Sequence, residues 1–143
     1  MRFAIILSQF NKEINLGLLE GAKAYLKEQN VPEDRIEVFS APGAFEIPLL
    51  AKKIAKTDRF AGVICLGTVI KGDTAHFEFI SLGAAVGMMQ ASLETEVPIS
   101  FGVLTTYTEE QAQVRSQKDE HNKGKEAASA CYQLVLELKK ISN

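Results

Sequence analysis

The segment Lys71-Gly72-Asp73-Thr74-Ala75-His76 brings an ammonium, a carboxylate, a hydroxyl and an imidazole close together. It follows Ala61-Gly62-Val63-Ile64-Cys65-Leu66-Gly67, the most apolar stretch of the chain. These residue types suit anion binding and proton transfer. Gly72 would let backbone N–H groups face outward, and a helix opening here would attract an anion. The GK[ST] ending of a Walker A loop is missing. Asp73 is equally suited to cap a helix N-terminus. On spacing alone, phosphate cradle and structural cap both stay open. His76 is one of two histidines and a candidate general acid–base group. The alternative is a first-turn helix histidine satisfied by a neighbour. His121 lies in the charged run Lys118-Asp119-Glu120-His121-Asn122 and reads as solvated.

Further candidates stand elsewhere. Phe10 closes a short apolar run and can stack on a planar ring or pack in a core. Glu46 follows the turn Pro42-Gly43, where a carboxylate can accept hydrogen bonds from hydroxyls or merely begin a helix. Arg115, Lys123 and Lys125 gather late in the chain. Arg115 can grip a phosphate through two parallel bonds, or lie on a solvated helix face. Each signal is weak alone, so the elements that position these residues decide how they combine.

Phe3–Leu7 and Ala61–Leu66 are continuous apolar runs, as in strands buried on both faces of a parallel sheet. Residues 36–40 and 98–104 complete four strands. Leu18, Leu19, Ala22, Tyr25 and Leu26 recur at helical spacing and predict a helix over 14–28, ended by Asn30 and Pro32. Leu50, Ile54 and Ala55 predict a second helix. A third spans 77–94 and is apolar nearly all round, which points to a subunit interface rather than a plain core helix. Thr108 and Gln111 form a capping-box pattern, so a helix starts at Glu109. A last helix covers 123–139. Alternating strands and helices imply a parallel sheet with right-handed crossovers. Such sheets bind ligands at the carboxyl ends of their strands. That rule selects Ser8–Asn11, Ser40–Glu46, Gly67–His76 and Thr105–Tyr107. The candidates converge there on a small-molecule site with phosphate and ring features.

The bulk numbers narrow the alternatives. A chain of 143 residues fits one domain, residues 1–143, and 46% hydrophobic content can build its core. A net charge of −2 creates no basic field, so neither nucleic acid nor a membrane surface is an expected partner. Cys65 and Cys131 form no CxxC or Cys/His pattern, so no metal is expected. They read as buried thiols in a reducing cytoplasm. The N-terminal apolar run is too short for a signal-peptide core, and no run reaches transmembrane length.

Five blocks carry a resemblance. They are Ser8–Asn11 (SQFN), Pro42–Pro48 (PGAFEIP), Leu66–Phe77 (LGTVIKGDTAHF), Phe101–Thr105 (FGVLT), and Asn122-Lys123-Gly124 with Glu126-Ala127-Ala128. In this order they resemble the lumazine synthase family over nearly the whole chain, the third block being the most specific. The resemblance implies an α/β, three-layer, flavodoxin-like sandwich with a four-stranded parallel sheet flanked by helices. It implies condensation of 5-amino-6-(D-ribitylamino)uracil with 3,4-dihydroxy-2-butanone 4-phosphate, without metal or organic cofactor. Phe10 would stack on the pyrimidine. Ala44, Phe45 and Glu46 would hold the ribityl chain and ring, and Thr68, Val69 and Ile70 would offer backbone contacts. Asp73 and Thr74 would bind the phosphate, and His76 would transfer protons. Phe101 and Arg115 would come from the adjacent subunit, Arg115 onto the phosphate, while Lys123 would approach the ribityl chain.

Some positions depart from the family pattern. Gln9 stands where an Arg commonly precedes Phe10, and the loop Gln117–His121 is more charged than usual. Strand one starts almost at Met1, without the segment that usually adds to a neighbour's sheet. A homo-oligomer built on pentamers is therefore expected, rather than a sixty-subunit shell. The rival readings are an archaeal-type riboflavin synthase and a non-catalytic pteridine- or flavin-binding or shell protein of the same fold.

Overall fold

The computed structural model describes residues 1–142. Its elements are β1 (Phe3–Ser8), α1 (Lys12–Glu28), β2 (Ile36–Ala41), α2 (Ile47–Ala55), β3 (Gly62–Ile70), α3 (His76–Thr95), β4 (Ile99–Thr106), α4 (Glu109–Val114) and α5 (Lys123–Ser142). The four strands form one parallel sheet in the order β2-β1-β3-β4. Right-handed crossovers then dictate the layers. The chain steps from β1 to β2 in one direction and from β2 through β3 to β4 in the other. Its helices must therefore divide between the two faces. Accordingly, α1 and α5 pack together on one face, and α2 and α3 on the other. This is the expected flavodoxin-like sandwich.

Strand pleating feeds both cores. Phe3, Ile5, Leu7, Ile64 and Leu66 point toward α1 and α5. Ala4, Ile6, Val63 and Cys65 point toward α2 and α3. Each central strand thus supplies apolar side chains to both faces, which explains its unbroken apolar run. Cys65 and Cys131 are free and buried. Burial pushes the Cys65 thiol far up, and the Cys131 thiol up to about 12.

The structure corrects several sequence expectations. β3 does not stop at Leu66 but continues to Ile70, because Gly67–Ile70 pair with Val103–Thr106 of β4. α1 begins earlier than Ile14, after Asn11 in a left-handed conformation (φ 65°). Asp73 does not cap α3: Ala75 occupies the N-cap, and the Thr74 hydroxyl accepts the His76 N–H at 3.3 Å. Gly72 needs no glycine-only backbone, since no described glycine has positive φ. α3 is not buried on several sides within one chain. Ala84, Met88 and Ala91 are its buried residues, whereas Phe79, Leu82, Val86, Met89 and Leu93 are exposed. The Thr108–Gln111 capping box is present.

Close approach of α1 and α5 depends on glycine. A Cβ on Gly124 would overlap the backbone carbonyl of Leu18, which cannot swing aside as a side chain can. Gly124→Ala is expected to destabilise the fold by about 1–3 kcal/mol through overpacking. The urea unfolding midpoint, followed by circular dichroism, checks this.

Candidate active site

The strand order reverses direction between β1 and β3, and there the departing connections leave a crevice at the carboxyl ends. A cleft of about 390 Å³ occupies it. Phe10 and Asn11 come from the turn after β1. Ala44, Phe45 and Glu46 come from the turn after β2. Thr68, Val69 and Ile70 end β3, and His76 and Ile80 belong to the first turns of α3. Segments distant in sequence thus meet because parallel strands all end on the same side.

Phe10 lines the cleft and is 70% exposed, so it is not a core anchor. Phe45 lies over α3 at Gly83, where a Cβ would press on the phenyl ring. The Glu46 carboxylate is exposed and stands at the start of α2. Ala44 is buried beneath it.

The floor of the cleft is a polar network. Asn15 is fully buried on the inner face of α1. Its Nδ2 donates to the carbonyls of Ser8 and Phe10, each at 2.8 Å. Its Oδ1 accepts from the Thr68 hydroxyl at 2.6 Å. Asn11 adds a bond from its amide to the Thr68 carbonyl at 2.9 Å. The Thr68 hydroxyl proton and one carbonyl lone pair are therefore already engaged. Sequence reasoning missed Asn15, although a polar residue beside Leu18 and Ala22 on an apolar helix face was a visible signal.

Asp73 and Thr74 lie on the exposed loop between β3 and α3, next to His76 but outside the cleft's lining. The loop is bracketed by an ion pair, Lys71 Nζ to Glu78 Oε1 at 2.6 Å. The hydrogen bond from Lys71 holds the Glu78 carboxyl below the usual carboxylate range. Behind it, the Phe77 and Tyr107 rings meet at 6.0 Å.

Phe101, Arg115 and Lys123 are not brought to this cleft. They line a second one, of about 590 Å³, beside β4 and the loop between α4 and α5. Arg115 donates to the Gln111 carbonyl at 2.9 Å and forms no ion pair among the described residues. Lys123 pairs with Glu126 at 3.2 Å. His121 is exposed in the loop before α5, as expected, and borders this cleft. The chain therefore carries two separate sets of candidate residues. Among the described residues, no cluster of His, Cys, Asp or Glu is arranged to hold a metal ion.

Residues 1–139 match the family described as 6,7-dimethyl-8-ribityllumazine synthase. The chain belongs to this lumazine synthase family. A 6,7-dimethyl-8-ribityllumazine synthase 1 of Caulobacter vibrioides is 58% identical over 140 residues, which is 98% of this chain and 92% of that protein. A 6,7-dimethyl-8-ribityllumazine synthase of Syntrophus aciditrophicus is 48% identical over 141 residues, 99% of this chain and 92% of that one. Among solved structures, a de novo designed Rossmann fold protein is similar with a TM-score of 0.37. It is 16% identical over 80% of this chain and 92% of its own, too slight a likeness to argue from.

Asn11 serves this lumazine synthase scaffold twice, by its left-handed backbone and by its amide bond to Thr68. Asn11→Gly keeps the backbone and loses the bond, an expected cost of about 1 kcal/mol. Asn11→Ala loses both, for about 2–3 kcal/mol. Urea unfolding of the two variants side by side separates the contributions.

Proposed function

We propose that this protein is a lumazine synthase. It condenses 5-amino-6-(D-ribitylamino)uracil with 3,4-dihydroxy-2-butanone 4-phosphate to 6,7-dimethyl-8-ribityllumazine, releasing phosphate and water. The observation that carries this reading is the cleft at the β1/β3 crevice, which joins Phe10, Glu46 and His76 in a chain that matches the synthase family over residues 1–139. No metal or organic cofactor is called for: imine formation, phosphate elimination and ring closure need positioning and proton transfer.

In this reading Phe10 stacks on the pyrimidine ring, and Phe45 and Glu46 hold the ribityl chain above Ala44. Thr68, Val69 and Ile70 present backbone groups to the ring. The butanone phosphate lies at the first turn of α3, against Asp73 and Thr74, where a helix N-terminus favours an anion. His76 stands between ring and phosphate and moves protons. Holding two reactants together supplies up to roughly 7–11 kcal/mol. General acid–base help adds only about 10²–10⁴-fold.

The separation of the two clefts supports a site shared between subunits. Phe101, Arg115 and Lys123 of one protomer would complete the His76 cleft of the next, with Arg115 on the phosphate. The exposed residues Phe79, Leu82, Val86, Met89 and Leu93 recur at intervals of three and four along α3, the spacing of a helix–helix seam. We take this seam to join α3 helices in a pentamer, or an assembly of pentamers. A reducing cytoplasm suits the two buried free thiols. No helix among the described residues is long and apolar enough to cross a membrane.

Absorbance at the product's visible band, with both substrates supplied, tests the reaction; no product from the purified protein would remove it. His76→Ala is expected to slow turnover about 10²-fold without abolishing it. Arg115→Ala is expected to raise KM about tenfold or more for the butanone phosphate alone. Leu82→Glu with Met89→Glu places charge in the α3 seam, and light scattering should then report a smaller species than the wild-type assembly.

A further inference from the structure

We propose that Asn15 is a positioning residue, acting through Phe10 and the Thr68 hydroxyl to hold the stacking ring over the cleft floor. This deepens the proposed function and rests on it.

The Phe10 ring is 70% exposed and forms no ring pair among the described residues. Its direction therefore depends on its backbone. The Phe10 carbonyl is taken up by the Asn15 amide, and by no backbone N–H among the described residues. The same amide holds the Ser8 carbonyl at the end of β1. Asn15 Oδ1 takes the Thr68 hydroxyl on β3. These side-chain bonds go to Ser8, Phe10 and Thr68, which end β1 and form the turn and the far strand at the crevice. None goes to α1 itself. A fully buried amide costs free energy unless it is bonded, and an apolar residue beside Leu18 would anchor α1 without that cost. What the amide adds is a tie across the crevice, where the ladder between β1 and β3 ends at Leu7 and Leu66. Beyond that point no strand pairing sets the separation of Phe10 from Thr68. Asn15 sets it, together with the Asn11 bond to the Thr68 carbonyl.

Thr68→Val deletes the hydroxyl bond while leaving the two carbonyl bonds of Asn15 in place. It is expected to raise KM for the ribitylaminouracil about tenfold, with KM for the butanone phosphate unchanged. Thr68→Ser keeps the donor and should recover most of that loss. Asn15→Leu should reproduce the same one-sided rise if it folds. A second readout needs no turnover: 4-fluorophenylalanine at position 10 should give a shifted, broadened fluorine resonance in Thr68→Val and a restored one in Thr68→Ser. A Thr68→Val enzyme with wild-type KM for both substrates overturns the proposal. So does a variant in which both KM values rise together with loss of folded protein. If the wild type forms no lumazine, the proposed reaction fails, and the fluorine signal decides the tether by itself.

Discussion

Everything at the cleft depends on a reversal of strand order. β1 lies between β2 and β3, so the connections after β1 and β3 leave toward opposite faces of the sheet. α1 departs to one side and α3 to the other. The gap between them lies where the β1–β3 ladder has ended, beyond Leu7 and Leu66. The Asn15–Thr68 bond spans that gap. Without the reversal there is no crevice. Without the polar tie, the crevice has no set width.

The layers follow from the same constraint. Moving from β1 to β2 and then back past β1 forces α1 onto the face opposite α2 and α3, given right-handed crossovers. α5 then covers the remaining half of the α1 face, with Gly124 letting the two helices touch. The chain order of elements was legible in the sequence because apolar periodicity changes between strands and helices. The continuation of β3 was not. Gly67 is a poor strand residue and masks the strand-forming Thr68-Val69-Ile70 behind it; the segment stays extended because β4 pairs with it to Thr106. The helix start at His76 was legible to within a residue, but the cap was not. Asp73 and Thr74 are both good capping types, yet the turn puts Ala75 at the N-cap and leaves Thr74 only a bond from the His76 N–H.

The candidate residues were legible as types on strand ends. Their grouping was not, because grouping depends on which strands are neighbours and which edge is open. Arg115 and Lys123 read as converging on the same edge as Phe10, yet within one chain they line a separate cleft beside β4. α3 gives the complementary case. Its all-round apolar character was plain in the sequence, but a single chain buries only the side facing the sheet and α2. The rest of that apolar surface stays exposed on the single chain, and it is the surface that the proposed α3 seam would cover. The proposed division, with one cleft supplying His76 and the other Arg115, gives that seam a chemical counterpart.

The tie beneath Phe10 is made of a carboxamide, a hydroxyl and main-chain carbonyls, none of which gains or loses a proton in ordinary solution. Acid and base therefore change the charge of no group within it. The floor of the cleft is a frame with no charge of its own, built from the Asn15 and Thr68 side chains and the carbonyls of Ser8 and Phe10.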